Sequence, residues 1–368
     1  MKFEVLRSAG EEGSRWASLV NDLRSPDRDI HFLPQYGELY HRTYGHEPFL
    51  AFYGDDEQYI IQPFVKRRLN DLPFLRDQGI TEPYFDIANP YGYGGPIGRS
   101  GSLEDARQLF RHFNEEFTGY CERQDIASEF TSLHPFLKNH EIVSRSDQIE
   151  VIERKEVVYI DLAQSEDDIW KGLNRGHRSS INKAKKNGVT VEKVLPGPEP
   201  FALFNRLYYR TMERNLAADR WFFPEAYFRN CYEVLGPDRI SLFFARVKGE
   251  VASAYLLMHD FSTAYYHFGG SDDRFYDLRP NNLLMFETAL WAKRVGFRHY
   301  HLGGGVSSTA DDSLLRYKAG FSDRRAKLYT YGRVHNRSVY ARLCEWKIRH
   351  ERSAGQINDS DYFPLYRR

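Results

Sequence analysis

The chain has 368 residues with 51 Lys and Arg against 51 Asp and Glu, enough length for about two domains and no net charge. Neutrality excludes a histone-like or strongly basic nucleic-acid binder. A composition of 41% hydrophobic and 28% charged residues excludes a disordered chain. The 25 Tyr and 26 Phe suit either binding clefts or an aromatic-rich sheet. Cys121, Cys231 and Cys344 stand far apart with no CxxC, so reduced thiols and a cytoplasmic protein are expected. No apolar run has signal-peptide or membrane-spanning length, so no integral membrane segment is expected. The sequons at Asn336 and Asn358 carry no meaning without a secretory signal.

In chain order, Phe49–Tyr53 and Tyr59–Val65 read as strands joined by the turn Gly54-Asp55-Asp56, with Pro63 favouring a bulge or an edge. Residues 83–98 form a Gly/Pro/Tyr loop. Ser102 then caps a helix running to about Arg123, with Asp105 in its first turn. Asp125–Leu133 and Val157–Leu162 read as strands. Ser165, followed by Glu166, Asp167 and Asp168, caps a single helix predicted to continue to Asn187 and stop at Gly188. Trp170, Leu173, Ile181 and Ala184 mark its apolar side. Lys171, Arg175, Arg178, Lys183, Lys185 and Lys186 occupy its other faces, with no acid between Lys171 and Val191. Val189–Val191 is a strand, and helices are predicted at about 199–215 and 224–235. A meander follows over Ile240–Val247, Val251–Met258 and Ala264–Phe268. A helix over about 282–295 ends at Gly296, and the strand Arg298–Leu302 runs into Gly303-Gly304-Gly305. A short helix at about 311–318, a last strand Ala326–Val334 and an amphipathic tail at 338–350 complete the chain.

The block 189–334 thus reads β-α-α-β-β-β-α-β-α-β, which is α+β. Tyr91-Gly92-Tyr93-Gly94-Gly95 and Tyr266-His267-Phe268-Gly269-Gly270 share an aromatic-x-aromatic-Gly-Gly pattern, each followed by a helix and a strand. A tandem duplication accounts for both. Much chemistry is absent. There is no GxxxxGK[ST], no GxSxG, no HExxH and no paired CxxC, and GxGxxG fails at Ile97 and Ser308. His299 and His301 share a strand face and read as a structural pair, so no metal is expected.

Three runs carry a family resemblance. Arg178-Ser179-Ser180-Ile181-Asn182-Lys183-Ala184 resembles an R-x-x-I-x-x-A helix. Leu283-Leu284, Glu287, Trp291-Ala292-Lys293, Gly296 and Tyr300-His301-Leu302-Gly303-Gly304 resemble a helix-strand-glycine run. Tyr317-Lys318-Ala319-Gly320-Phe321 resembles a closing F-K-x-G-F. Together they are similar to the Fem peptidoglycan aminoacyltransferases and related acyltransferase domains of GNAT type. The resemblance implies two tandem GNAT-like domains, each a mixed, mostly antiparallel sheet flanked by helices. The expected bounds are 1–160 and 161–335, with 336–368 as a tail folding back on the first domain. The two short helices of 199–240 leave no room for the long helical arm of some members.

The resemblance further implies a cytoplasmic enzyme that moves an amino acid from aminoacyl-tRNA to an amine of a cell-wall precursor, without a cofactor, and with peripheral contact at the inner membrane face allowed; the duplication, which often replaces a dimer, makes a monomer the expectation. Lys318 would stabilise the oxyanion, with Tyr317 beside it. Arg214 sits where a substrate arginine is expected, and Arg220 flanks the same loop. Tyr40 stands where the family has a lysine, which opens the acceptor to a sugar or natural-product amine. Tyr91 and Tyr93 lie in a loop fit to line an acceptor cleft. Arg279-Pro280-Asn281-Asn282-Leu283-Leu284 occupies the place of the acetyl-CoA loop, and Asn282 and Leu284 replace its small residues. Arg175, Arg178, Lys183, Lys185 and Lys186 offer a polyanion face. An acyl-CoA-dependent N-acyltransferase and a non-catalytic twin domain binding precursor or RNA remain alternatives.

Overall fold

A computed structural model describes residues 1–144, 149–306, 311–355 and 362–368; Ser308 and the Asn358 sequon lie outside them. The chain divides into two units, Met1–Arg154 with Leu328–Arg368, and Lys155–Lys327.

The first unit holds β1 (Lys2–Arg7), α1 (Gly10–Asn21), α2 (Pro34–Tyr44), β2 (Glu47–Gly54), β3 (Tyr59–Arg68) and α3 (Pro73–Arg76). β4 (Phe85–Ala88), β5 (Ile97–Arg99), α4 (Leu103–Arg123), β6 (Ile126–Ser132) and α5 (His140–Val143) follow. The last strand, β13 (Arg325–Val334), and the last helix, α12 (Arg337–Ser353), complete it. Ser102 caps α4 as predicted, its hydroxyl accepting the Asp105 N–H at 3.1 Å. Phe110, Phe113 and Phe117 of α4 pack on Ile60, Phe64 and Ile87. Leu343 of α12 joins Leu69, Phe74, Tyr84, Ala127 and Tyr366 in a second cluster. Arg67 and Arg367 close on the buried Asp86 carboxylate, the Nε groups at 2.8 and 2.6 Å.

The second unit holds β7 (Ile152–Asp161, from Lys155 on), α6 (Glu166–Gly172), α7 (Arg175–Lys186), β8 (Thr190–Val194), α8 (Pro198–Arg214) and α9 (Glu225–Leu235). Then come β9 (Ile240–Val247), β10 (Glu250–Asp260), β11 (Thr263–Ser271), α10 (Pro280–Val295), β12 (His299–Gly303) and α11 (Ser313–Ala319). Ile181 and Ala184 of α7 share its core with Leu284 and Ala289 of α10 and with Val158, Tyr300 and Leu302 of the sheet.

The sheets have one topology. In the first unit the order is β1-β2-β3-β4-β6-β13, with β5 beside β3, and only β4–β6 is parallel. In the second it is β8-β9-β10-β11-β12-β7, and only β11–β12 is parallel. Each parallel pair is bridged by one helix, α4 or α10, as a crossover requires. The two units are tandem copies of one α+β plan, and 195–240 holds two helices and no long arm.

Three local expectations change. The helix predicted over 165–187 is two helices. Leu173 is extended, and Asn174 starts a new cap by accepting the His177 N–H at 2.7 Å. The guanidinium of Arg178 donates to the carbonyls of Lys171 and Leu173, which that break leaves open. The two glycine pentapeptides are not equivalent, since Tyr91–Gly95 follows β4 as a loop while Tyr266–Gly270 lies within β11. Strand pairing sets the units' bounds: β13 pairs with β6 in the first unit, and β7 pairs with β12 in the second. No helix among the described residues is long and apolar enough to cross a membrane.

Candidate active site

β11 and β12 pair only at Thr263–His299, Ala264–Tyr300 and Tyr265–His301. Beyond that they part, because β11 stays on β10 through Ser271 while β12 follows β7. The carboxyl ends of two parallel strands that separate in this way form a crevice of the kind that collects ligands in α/β sheets. Gly303, at φ +81°, turns the chain out of β12. The glycines let side chains reach this backbone. A Cβ on Gly303 would stand 3.1 Å from the Lys318 Nζ, and one on Gly305 would stand 2.4 Å from the Asp312 carboxyl carbon.

Lys318 on α11 donates from Nζ to the Gly304 carbonyl at 2.8 Å. Lys155 on β7 donates from Nζ to the next carbonyl, Gly305, at 3.1 Å. Asp312 caps α11, its Oδ1 accepting the Leu315 N–H at 2.8 Å. The Tyr266 ring of β11 lies 5.6 Å from the Lys318 Nζ, and it meets the Tyr255 ring edge-on at 4.6 Å. The Tyr255 hydroxyl donates to the Asn281 carbonyl in the first turn of α10 at 3.2 Å.

Two contacts hold α11 in place. The Asn174 N–H donates to the Gly320 carbonyl at 2.9 Å, and His177 Nε2 bonds the Tyr317 carbonyl at 2.9 Å. A side chain on Gly320 would meet Asn174 Nδ2 at 2.5 Å, which explains the glycine of the Lys318-Ala319-Gly320-Phe321 run. Lys318 is only 6% exposed. Burial first, then the Lys155 cation, pulls its pKa down to about 7, and Asp312 opposes the shift. Burial also lowers the Lys155 pKa, with Asp312 opposing and the Arg220 charge reinforcing.

The structure thus gathers Lys318, Lys155, Asp312 and Tyr266, and puts Arg220 within electrostatic reach. Tyr317 packs its ring on His177 and Phe321 at 5.2 and 5.3 Å, and burial raises its pKa. Arg214 donates to the Ser271 carbonyl at 3.4 Å and lies over Tyr276. Asn282 is buried in the first turn of α10, its N–H bonded to the Arg279 carbonyl at 3.2 Å. The basic set separates into two kinds. Arg178 caps α6, and Lys185 faces Glu287 at 3.5 Å. Arg175, Lys183 and Lys186 are exposed. Lys155 escaped the sequence reading because nothing local marks a strand lysine as the neighbour of a glycine run on another strand.

In the first unit Tyr40, Tyr91 and Tyr93 do come together. Tyr36 donates its hydroxyl to the Tyr91 carbonyl, and its ring lies tilted against that of Tyr40 at 5.6 Å. The Tyr93 ring stands edge-on to His31 and His134 at 5.2 and 5.3 Å. Beneath them, buried Asp29 meets His31 Nδ1 at 2.5 Å and His134 Nε2 at 3.5 Å. Burial would raise the Asp29 pKa, but His134 and His31 hold it well below the usual carboxylate range. Asp29, His31 and His134 are close enough to hold a metal ion. The proton positions oppose that use. His134 Nδ1 accepts the Phe136 and Leu137 N–H groups at 3.1 and 3.3 Å, so the neutral ring carries its proton on Nε2, facing Asp29, and offers no lone pair there. The cluster packs against the Tyr91–Tyr93 loop through the His31 and His134 rings.

Residues 174–319 match the family model described as an acetyltransferase (GNAT) domain, all within the second unit. Comparison with curated proteins gave no match. Among solved structures, FemX superposes with a TM-score of 0.67 at 16% identity, over 93% of this chain and 99% of its own. L-PGS from Bacillus licheniformis gives 0.53 at 12% identity, over 90% and 94%. The C-terminal domain of a putative lysylphosphatidylglycerol synthetase from Agrobacterium fabrum gives 0.50 at 14% identity, over 88% and 92%. At these identities the likeness is one of fold. The chain has the fold of FemX, and much of its second unit matches the GNAT domain model.

Proposed function

We propose that this protein is a Fem-like aminoacyltransferase, taking an amino acid from aminoacyl-tRNA and placing it on an amine of a cell-wall precursor or a similar acceptor. The observation that carries the reading is Lys318, fixed on the Gly304 carbonyl where β11 and β12 part. The acceptor amine attacks the ester carbonyl, a C–N bond forms and the carbonyl electrons move onto oxygen. An ammonium aimed at that oxygen from a buried, pre-set position stabilises it by about 3 kcal/mol. Collapse of the intermediate then releases the ester hydroxyl.

The start of α10 favours tRNA over an acyl-CoA donor. A pyrophosphate is held by free N–H groups at a helix N-terminus. Here Pro280 has none, and the Asn282 N–H is bonded to the Arg279 carbonyl. Asn282 and Leu284, both buried, stand at the sequence positions where that loop would have small residues. Exposed Arg175, Lys183 and Lys186 supply a backbone contact for RNA. The fold shared with FemX and with a protein named for lysylphosphatidylglycerol synthesis supports transfer of an amino acid.

The test is a binding titration with mixed aminoacyl-tRNA and, separately, acetyl-CoA at low and high salt, followed by turnover of the preferred donor with amine acceptors. Salt-sensitive uptake of charged tRNA, with transfer that Lys318→Ala slows by about 10²–10³-fold while binding persists, is expected. Saturable acetyl-CoA binding with no tRNA uptake would overturn the donor and favour the acyl-CoA alternative.

A further inference from the structure

Two lysines from different elements bind consecutive carbonyls of one glycine run, Lys318 on Gly304 and Lys155 on Gly305. Like charges are rarely set side by side in a buried place, because each makes the other harder to protonate. The charged and titratable groups that act on the Lys318 ammonium are Lys155 from β7 and Asp312 from the α11 cap, with the Tyr266 ring over it from β11. On α7, His177 is engaged with the Tyr317 carbonyl. Asp312 is shared with the N–H of Leu315, so it does not serve Lys318 alone. Arg220 adds a third cation acting on Lys155.

We propose that Lys155 is a positioning residue that keeps Lys318 partly in its free-amine form, so that Lys318 takes the proton of the acceptor ammonium before it stabilises the oxyanion. The inference rests on the aminoacyltransferase reading and supplies the base which that reading lacks. An acceptor amine at neutral pH arrives as an ammonium with no lone pair. Nζ of Lys318 takes one proton from it, giving a nucleophilic amine and a charged Lys318. The C–N bond forms, and the new ammonium lies beside the oxyanion. The ester C–O bond then breaks with its electron pair on the leaving oxygen, which receives the proton back from Lys318. A second proton of the former ammonium passes to water and the third stays on the amide nitrogen, so ester plus ammonium gives amide, alcohol and one proton. The lowered pKa of about 7 agrees with this geometry, since a free and a charged Lys318 are then both present at neutral pH.

The experiment is competitive acetylation of the whole protein with acetic anhydride across a pH range from about 5.5 to about 9.5, which brackets the shifted and ordinary lysine values. The Lys318 peptide is read by mass spectrometry against an added reference amine, and the same protein is assayed for the pH dependence of transfer. In the unaltered protein the Lys318 midpoint should lie at about 7 and coincide with the acidic limb of kcat/KM. Lys155→Met should raise both by about one unit or more, so that the free-amine fraction at neutral pH falls roughly fivefold or more. Lys155→Arg should leave the midpoint in place, and Asp312→Asn should lower it, which keeps the test alive if Lys155→Met does not fold. A folded Lys155→Met protein with an unmoved midpoint would overturn the proposal while Lys318-dependent transfer kept the function intact. A midpoint that moves as stated, with no donor giving Lys318-dependent transfer, would sink the proton-transfer role together with the functional reading.

Discussion

The two units bury charge in opposite ways. In the first, the Glu129 carboxylate, 1% exposed, receives the Arg333 guanidinium at 2.6 and 2.9 Å, the Tyr331 hydroxyl at 2.8 Å and the Gln62 amide at 2.7 Å, with His335 at 3.3 Å. Asp86 is likewise closed between Arg67 and Arg367. In the second, buried Lys318 meets a peptide carbonyl, a second cation and a carboxylate already engaged in a helix cap. Charges that are fully paired hold a fold in register. A charge left short of partners costs stability, and such groups collect where chemistry is done. The same sheet plan thus carries a fully paired buried network in the first unit and a buried lysine set beside a second cation in the second.

Substitutions on either side put this contrast at risk. The largest effect is expected at Glu129→Gln, which strands Arg333 in the core and should lower stability by about 3–5 kcal/mol in urea unfolding. Burial would raise the Glu129 pKa, but Arg333 and His335 hold it below its ordinary 4.5. Its contribution is therefore present above pH 4.5 and lost as pH falls through the depressed folded-state value. Acid unfolding of the first unit should thus begin later in the natural protein than in any variant that weakens this pair. Next, Lys318→Ala should reduce transfer turnover by about 10²–10³-fold with donor binding kept, measured by single-turnover kinetics. A protein that turns over at the natural rate without Lys318 would remove the contrast altogether.

A smaller effect has the opposite sign. Lys318→Met should stabilise the protein by about 0.5–2 kcal/mol at neutral pH, read from thermal melts. The folded pKa is about 7 and the ordinary value is 10.5, so the folded protein binds fewer protons than the unfolded chain between them. Stability of the natural protein rises with pH across that window, and the advantage of the Met variant should shrink as pH approaches 10.5. The smallest change is expected for Arg175, Lys183 and Lys186 changed together to Ala. The slope of log affinity for tRNA against log salt should flatten by about one for each phosphate no longer neutralised. An unchanged slope would show that this face does not meet the nucleic acid.

What could be read in the sequence was local. The caps at Ser102 and Ser165, the meander, the crossover to Gly303-Gly304-Gly305 and the lysine of the last short helix are each set by neighbours within a few residues. The break at Asn174 was legible in principle, because an asparagine three residues before His177 is a cap signal, but the apolar spacing on both sides concealed it. The rest depends on distant pairing. Nothing near Lys155 announces Gly305, and nothing near Asp29 announces His134. Tyr91–Gly95 and Tyr266–Gly270 look alike as strings, yet one is a loop and the other a strand, since ladder partners rather than composition decide which segments extend.

The split of the first unit along the chain bears on how the protein is made. Glu129 and Arg333 are 204 residues apart, and the whole second unit lies between the two segments that form the first. At ordinary translation speeds of about 5–20 residues per second, the acid waits about 10–40 s on the ribosome for its guanidinium. During that interval the inserted unit has already emerged, while the outer one holds an incomplete sheet and an uncompensated charge. Nascent chains of this protein should therefore pass through a state in which the later half is native and the earlier half still needs protection, and assistance by ribosome-associated chaperones should act on the half that was synthesised first.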